Sequence, residues 1–321
     1  MQSISNYQEK ISNHFELLAL NKEPKNLYEP IQYILSLGGK RLRPVLTLMA
    51  TEVFDVDCTK ALSAATAVEV FHNFSLIHDD IMDDAPLRRG NETVHEKWNI
   101  NTGILSGDAM LILAYQFFED YEPQIFQELA KLFSKTALEV CEGQQYDVDF
   151  ETRDDVTIPE YLKMIEYKTA VLVGAAMKMG AIVAETSEEN KNLIYDFGLN
   201  LGIAFQLQDD YLDAFGNPET FGKQVGGDVL ANKKTLLSIR AKKVADSTQL
   251  QTLAALEQVQ DPLLKVEKTK ELYIALGARH YCEEQMKAHH EKALAALSRI
   301  EIDGSKSELE ELAEFLFART H

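Results

Sequence analysis

The sequence contains few of the residues that cross-link small domains or interrupt helices. Its three cysteines, Cys58, Cys141 and Cys282, lie far apart in 321 residues and show no Cys-x-x-Cys spacing. This argues against a disulfide framework and a cysteine zinc site, and it favours reduced thiols in a cytoplasmic protein. Glycine and proline contribute 16 and 8 residues. Long helices can therefore run without interruption.

Positive charge and membrane-spanning segments are also scarce. The 32 Lys and Arg residues are outnumbered by 51 Asp and Glu residues, which argues against non-specific binding to nucleic acid or to an anionic membrane. The N-terminus has no basic start followed by an apolar core, so no signal peptide is predicted. The apolar stretch 170–184 is short and contains Lys178. We therefore expect a soluble protein without stable membrane insertion.

No run of alternating apolar and polar residues indicates a strand. Apolar residues instead recur at helical spacing in long segments, among them 61–84, 126–150, 158–185 and 192–215. Gly, Pro and Asn cluster at the breaks 37–44, 85–93 and 215–228. The pattern predicts an all-α fold and a single domain over 1–321, a helical bundle whose core helices are wrapped by outer ones. The outer helices are expected in the more charged region 241–321.

Acidic residues cluster in the segment HDDIMDD, residues 78–84, at the end of a long apolar run. On a continuous helix Asp79 and Asp83 share one face, with Asp80 and Asp84 beside them. Carboxylates on a partly buried face need cations to offset their repulsion and their desolvation.

The segment QLQDDYLD, residues 206–213, repeats this spacing with Asp209, Asp210 and Asp213. One such motif is common on solvated helix ends, but two at the ends of apolar helices are harder to dismiss. If the two motifs face one another across a cavity, their oxygen ligands favour Mg²⁺, which also seeks phosphate oxygens. The pattern predicts a metal site for a phosphorylated ligand.

A phosphorylated ligand also requires local positive charge in this acidic chain. Basic residues cluster beside the predicted breaks and motifs, and Arg and Lys both suit diphosphate oxygens. Taken singly, each is more often a solvated surface charge. The clustered residues are Lys40, Arg41, Arg43, Arg88, Arg89, Lys168, Lys223, Lys233 and Lys234.

The ordered segments GGKRLRP, DDIMD followed by LRRG, GQQYD, YKT, QLQDDYLD and GKQVGGDVLANKKT resemble the trans-isoprenyl diphosphate synthases, or polyprenyl synthetases. Together they cover about residues 38–236. The resemblance implies helices around a deep central cavity and a homodimer. It also implies Mg²⁺-dependent head-to-tail condensation of isopentenyl diphosphate with an allylic diphosphate.

The resemblance assigns roles residue by residue. The metal ligands would be Asp79, Asp83 and Asp209, with Asp80, Asp84 and Asp213 as further members of the acidic clusters. The residues contacting the allylic diphosphate would be Arg88, Lys168 and Lys233, with Lys223 closing over it. The residues holding isopentenyl diphosphate would be Lys40, Arg43, His72 and Arg89. The residues lining the reaction centre would be Thr169, Gln206, Gln144 and Asp147.

Product length in this family depends on bulky residues upstream of the first acidic motif. Here Ser75 lies four residues before Asp79, Phe74 lies five before it, and Phe71 lies about one turn further back. An aromatic residue at the fifth upstream position argues against long-chain products. Because the motif also lacks a two-residue insertion, we expect the twenty-carbon geranylgeranyl diphosphate ahead of the fifteen-carbon farnesyl diphosphate.

Three other functions match parts of the sequence less well. Glu69-x-x-His72 and Glu92-x-x-His95 match the spacing of di-iron carboxylate bundles, but that site would leave both acidic motifs without a role. A class I terpene cyclase would need neither GGKRLRP nor a second acidic motif. A non-catalytic partner subunit of a hetero-oligomeric synthase would usually have lost the acidic motifs, which this chain keeps.

Overall fold

Helices account for nearly all of the regular structure, as predicted. The computed structural model describes residues 4–216, 226–302 and 306–318. In chain order the helices up to the second acidic motif are α1 Ile4–Glu16, α2 Lys25–Ser36, α3 Leu42–Glu52, α4 Leu62–Met82, α5 Val94–Lys97, α6 Ile100–Gln116, α7 Pro123–Glu151, α8 Ile158–Ile165, α9 Val171–Val183 and α10 Glu188–Phe215. The helices that follow are α11 Gly227–Leu230, α12 Leu236–Val244, α13 Ser247–Glu257, α14 Pro262–Ala275, α15 Ala278–Arg299 and α16 Ser307–Phe317.

Short irregular elements complete the chain. Two 3₁₀ turns lie at Cys58–Ala61 and Phe117–Asp120, and a π-helical turn lies at Glu166–Ala170 between α8 and α9. The break after the first acidic motif forms a small antiparallel hairpin of β1, Leu87–Arg88, and β2, Asn91–Glu92. The sequence pattern gave no sign of these strands, because two residues are too few to show alternation.

The described residues form two compact units, and the single-domain assignment stays a prediction. Unit 1 comprises residues 1–136, 175–195 and 300–308, and unit 2 comprises 137–174, 196–299 and 309–321, each within its described part.

Helix α4 is the centre of unit 1. Its residues from Ala64 to Phe71 are all buried, which is the behaviour of a helix that is apolar around its circumference. It packs against α6 and α3, with smaller contacts to α1, α2 and α5. This packing fixes the helix end that carries the first acidic motif.

Unit 2 contains a second apolar core. It includes Tyr161 and Ile165 of α8, Leu207 of α10, and Cys282 and Met286 of α15. Helix α8 begins with a capping box, in which Thr157 and Glu160 each bond the other's backbone N–H. The C-terminal helices therefore supply core residues to unit 2 as well as an outer surface.

Candidate active site

The first acidic motif lies where α4 ends. Asp83 caps the helix, and Asp84 adopts a left-handed conformation with φ of 48°. The Asp83 N–H donates to the Asp79 carbonyl, and the Ala85 N–H donates to the Asp80 carbonyl, both at 2.9 Å. This is a Schellman ending with aspartate where glycine is usual. The prediction that all four aspartates continue one helix is therefore wrong for Asp84, although Asp83 still follows Asp79 by one turn.

Asp80 is the buried member of this motif, with 1% of its surface exposed. Its Oδ1 accepts hydrogen bonds from Arg88 Nε at 2.9 Å and from Arg88 Nη2. Burial raises the pKa of Asp80, and the bonded Arg88 opposes that shift. The Asp79 side chain is 18% exposed, and its Oδ2 lies 3.7 Å from Arg88 Nη2. Asp80 therefore anchors Arg88, while Asp79 stays accessible to solvent.

Arg43 and His72 form a partly buried pair in the same unit. Arg43 Nη1 and His72 Nε2 are 3.2 Å apart, and because guanidinium can only donate, the imidazole nitrogen accepts. Burial, and then the charge of Arg43, lower the pKa of His72 well below its ordinary value. The ring is therefore neutral at pH 7. Arg43 Nε is buried and has no hydrogen-bond partner among the described residues.

Arg89 lies against the glycine turn between α2 and α3. Its Nη1 donates to the Gly38 carbonyl. Gly39 has a φ of 123°, and a Cβ there would lie 2.8 Å from Arg89 Cζ, so this position requires glycine. Lys40 follows with an exposed side chain. The turn therefore brings part of the predicted isopentenyl diphosphate site to one end of α3.

Other basic candidates have different surroundings. Arg41 donates to Ser12 Oγ at 3.2 Å and to the Leu35 carbonyl at 3.3 Å, so it fastens α1 and α2. Lys234 pairs with Asp154 at 3.4 Å, whereas the Lys233 side chain is exposed. Lys223 lies outside the described residues.

The second acidic motif lies inside α10, which continues to Phe215. Asp210 is 8% exposed. Its Oδ2 accepts from the Tyr161 hydroxyl, and its Oδ1 accepts from Gln206 Nε2 at 3.0 Å. Burial, together with the negative charge of Asp228, raises its pKa to about 7. The partner Tyr161 is distant in sequence, and no local pattern pointed to it.

The flanking aspartates of this motif differ from Asp210. Asp209 is partly exposed. Asp213 Oδ1 accepts from the Asp228 N–H at 2.9 Å, and the Asp213 carbonyl accepts from the Gly226 N–H. Asp213 therefore stabilises the start of α11 with one of its two carboxylate oxygens.

The π-helical turn presents Lys168 and Thr169. Lys168 Nζ lies 2.6 Å from Asp147 Oδ2 of α7. Helix α7 approaches this turn so closely at Gly143 that a Cβ there would lie 2.2 Å from the Lys168 backbone nitrogen. Such turns are frequent at functional sites in helices. Gly143, the glycine of the GQQYD motif, is therefore needed for α7 to pack this closely against the backbone of Lys168.

A polar chain links the predicted reaction-centre residues of unit 2. Thr169 Oγ1 donates to Gln206 Oε1 at 3.3 Å, and Gln206 Nε2 donates onward to Asp210. Gln144 Nε2 is buried and has no hydrogen-bond partner among the described residues. The structure therefore joins Thr169 and Gln206 directly.

The predicted chain-length residues belong to an aromatic cluster. The Phe74 ring lies 5.4 Å from that of Phe71 and 4.8 Å from that of His78, measured between centroids. Phe71 is fully buried and contacts the Phe133 ring edge-on at 5.1 Å. The Ser75 hydroxyl donates to the His72 carbonyl and adds no bulk. Phe74 therefore has a rigid aromatic layer beneath it.

Comparisons with known proteins decide the family. The polyprenyl synthetase family model matches residues 24–276. The chain is a member of the polyprenyl synthetase family. It is 36% identical over 313 residues to geranylgeranyl pyrophosphate synthase of Geoglobus acetivorans, covering 97% of this chain and 96% of that one. It is 43% identical over 228 residues to geranylgeranyl diphosphate synthase of Methanosarcina mazei, covering 70% of each.

Solved structures agree with this membership. A crystal structure of a geranylgeranyl pyrophosphate synthase matches with a TM-score of 0.92 and 49% identity over 100% of both chains. A crystal structure of geranylgeranyl pyrophosphate synthetase from Pyrococcus horikoshii matches with a TM-score of 0.92 and 36% identity. The match covers 98% of this chain and 97% of that one.

Membership confirms the predicted enzyme class. This polyprenyl synthetase is a trans-prenyltransferase of the short-chain type, which is not the chemistry of a di-iron protein. None of its helices, within the described residues, combines the length and apolarity needed to cross a bilayer.

Proposed function

We propose that this synthetase catalyses Mg²⁺-dependent head-to-tail condensation of isopentenyl diphosphate with allylic diphosphates. One observation carries the proposal. In each acidic motif the second aspartate, Asp80 or Asp210, is buried and bonded to protein groups, whereas the first, Asp79 or Asp209, is partly exposed. The first aspartates are therefore held at fixed positions and can still reach a ligand.

The donor set suits Mg²⁺, because the motifs offer carboxylate oxygens at partly exposed positions. Asp79, Asp83 and Asp209 would hold the ions, with Asp80 and Asp213 as further members of the two clusters. When bound, Mg²⁺ supplies positive charge that weakens the allylic C–O bond.

The allylic diphosphate is assigned to Arg88, Lys168 and Lys233, with Lys223 closing over it. Two of these cations are already positioned by carboxylates, Arg88 by Asp80 and Lys168 by Asp147. Fixed cations stabilise the charge that develops on a departing diphosphate without reorganising first. Their pairing supports a role in ionisation of the allylic substrate.

The diphosphate of isopentenyl diphosphate is assigned to Lys40, Arg43, His72 and Arg89. The buried Arg43 guanidinium has an N–H without a partner among the described residues, and its neighbour His72 is neutral. Burial lowers the pKa of Arg43 although Glu69 lies near enough to oppose that shift, so the protein offsets only part of the cost of burying this charge. A bound diphosphate would offset that penalty, which supports this assignment.

The later steps need no side-chain base. The alkene of isopentenyl diphosphate attacks the allylic cation, and the proton then leaves to the released diphosphate. The polar residues Thr169, Gln206, Gln144 and Asp147 would line this centre, where hydroxyl and amide dipoles stabilise positive charge.

We propose geranylgeranyl diphosphate as the main product, ahead of farnesyl diphosphate. Phe74, backed by Phe71 and Phe133, would form the floor that stops the growing chain. Relatives named geranylgeranyl and geranylfarnesyl diphosphate synthases support a short product.

Mass-spectrometric product analysis tests the activity and the floor together. The purified chain is incubated with Mg²⁺, isopentenyl diphosphate and, separately, dimethylallyl, geranyl and farnesyl diphosphates. A twenty-carbon endpoint from each primer is expected, and Phe74→Ala should lengthen it. Phe126→Ala, at a partly exposed position on α7, is the matched control and should leave the product unchanged. A fifteen-carbon endpoint would overturn the product assignment, and an unchanged endpoint with Phe74→Ala would remove Phe74 from the floor.

A homodimer is proposed as the assembly. Helix α6 carries exposed apolar residues at Ile104, Leu105 and Ile112, with 41%, 60% and 59% of their surface accessible. Such an apolar surface supports a second copy as partner. Sedimentation should give twice the 36.2 kDa chain mass, and Leu105→Glu should shift the population toward the monomer. A monomer at all concentrations would refute this assembly.

A further inference from the structure

Three side chains of the types that bind metal ions in proteins lie close together beside the hairpin in unit 1. Asp84 follows the end of α4, and His95 and Glu96 lie in α5. One ligand atom from each residue lies within 4.8 Å of the others. None of these residues is needed to neutralise Arg88, which bonds Asp80 instead.

His95 provides a second, independent observation. It is 8% exposed, and both of its ring nitrogens are buried without a hydrogen-bond partner among the described residues. The Glu96 Oε1 atom lies 3.7 Å from His95 Nε2, which is beyond hydrogen-bond distance. A neutral imidazole carries one N–H and one lone pair, and leaving both unmatched in the interior is unfavourable. A metal ion would use the lone pair.

The backbone already holds the two ends of this site together. The Thr93 hydroxyl donates to the Ala85 carbonyl at 2.8 Å, and the Thr93 N–H donates to the Pro86 carbonyl at 3.2 Å. Asp84 is fixed in a left-handed conformation by the Schellman ending of α4. Little rearrangement is therefore needed for the Asp84 carboxylate, the His95 imidazole and the Glu96 carboxylate to bind one ion.

We propose that Asp84, His95 and Glu96 bind a divalent transition-metal ion, with Zn²⁺ the best match. One imidazole and two carboxylates suit a borderline ion such as Zn²⁺ or Co²⁺, whereas Mg²⁺ takes oxygen ligands almost exclusively. Water would complete the coordination. This role replaces the assignment of Asp84 to the Mg²⁺ cluster.

The ion would act as a tie across the hairpin. It joins the end of α4 to α5, and the segment between them carries Arg88 and Arg89. Holding both ends restricts the conformations of those arginines in the absence of substrate. The inference does not depend on the proposed reaction, because metal binding can be measured without turnover.

Cobalt absorption spectroscopy tests the site with Glu96→Gln and its control Glu92→Gln. Both glutamates are exposed and lie on the same segment, but Glu92 is outside the cluster. The full chain is stripped with chelator, placed in millimolar Mg²⁺ to occupy the carboxylate sites, and titrated with Co²⁺. One Co²⁺ per chain with visible d–d bands is expected for the unmodified chain and for Glu92→Gln, with affinity at least about tenfold weaker in Glu96→Gln.

Two outcomes would overturn the proposal. One is the absence of stoichiometric Co²⁺ binding to the unmodified chain, and the other is equal affinity in the two glutamate variants. His95→Gln should abolish the d–d bands altogether. Since His95 is buried and its replacement affects folding, Zn²⁺-dependent protection against thermal unfolding is compared in the two glutamate variants as a second readout. At the same Zn²⁺ concentration, the Tm of Glu92→Gln should rise more than that of Glu96→Gln.

Discussion

The two acidic motifs have the same spacing but bury their second aspartate in different ways. Asp80 is bonded to the cation Arg88, whereas Asp210 is bonded to the neutral groups of Tyr161 and Gln206. Burial raises the pKa of both carboxyls, and that of Asp210 reaches about 7. Identical sequence patterns can therefore bury a carboxyl beside a cation in one motif and beside neutral groups in the other, where burial and the charge of Asp228 raise its pKa.

The largest expected effect tests what the motifs share. Asp79→Asn and Asp209→Asn should each lower kcat by about 10²- to 10³-fold, because each removes a charge proposed to hold Mg²⁺. The controls are Asp108→Asn on α6 and Asp196→Asn on α10, both exposed and expected to keep full activity. Steady-state kinetics at saturating Mg²⁺ measures the difference. If one motif variant matched its control, the two motifs would not be functional equivalents.

The next effect concerns the charged pair. Arg88→Met leaves Asp80 buried without its cation and should lower the free energy of unfolding by about 3 to 5 kcal/mol. The double variant Arg88→Met with Asp80→Asn should recover most of that loss, since the buried charge is then gone. Urea denaturation measures both. Additive losses in the double variant would show that Arg88 does not neutralise Asp80.

The neutral pair should give a smaller effect. Tyr161→Phe removes one hydrogen bond to Asp210 and leaves an oxygen unmatched, which should cost about 1 to 3 kcal/mol of stability. Tyr146→Phe is the control, because Tyr146 is 41% exposed and should change stability little. A Tyr161→Phe loss as large as that of Arg88→Met would remove the distinction between the two motifs.

The last effect is a pH dependence specific to the second motif. Because the folded pKa of Asp210 lies above the unfolded value of 3.8, the folded chain binds more protons than the unfolded chain between these values. Stability from this group is present below about pH 4 and is lost as the pH rises through about 7. Relative to Asp210→Asn, the unmodified chain should lose at most about 1.4 kcal/mol per pH unit in that window.

Metal-free urea denaturation between pH 4 and 8 measures this slope, with chelator present so that bound cations do not change the charge of the motif. Asp196→Asn on the same helix provides the matched control and should keep the slope. Parallel profiles for the unmodified chain and Asp210→Asn would mean that Asp210 is ionised throughout.

Local sequence predicted the helices well and the contacts around the motifs only in part. The long apolar segments gave α4 and α10, and the glycine-rich breaks gave the turn before α3 and the hairpin region. Asp80 and Arg88 lie only eight residues apart, so their closeness in sequence is enough to suggest that they pair. The Schellman ending was missed because aspartate replaces the usual glycine there.

The remaining contacts depend on tertiary packing. Tyr161 bonds Asp210 across 49 residues, and no periodicity encodes such a pair. Arg41 belongs to a basic cluster in sequence but turns to Ser12 of α1. His95 lies in α5, which has only four residues, yet its side chain is buried. Helix length and side-chain burial are separate properties.

The π-helical turn at Glu166–Ala170 has a consequence for how this chain aligns with its relatives. A π turn accommodates one more residue than an α turn, so the side chains of α9 start about 100° further round than an uninterrupted α8 would give. Removing one residue between Glu166 and Ala170 would restore the α-helical phase and turn Lys168 away from Asp147. Point substitutions cannot reproduce that change. A one-residue gap at Glu166 or Ala170 in a homologous sequence would therefore mark a reoriented lysine even though the letters YKT remain.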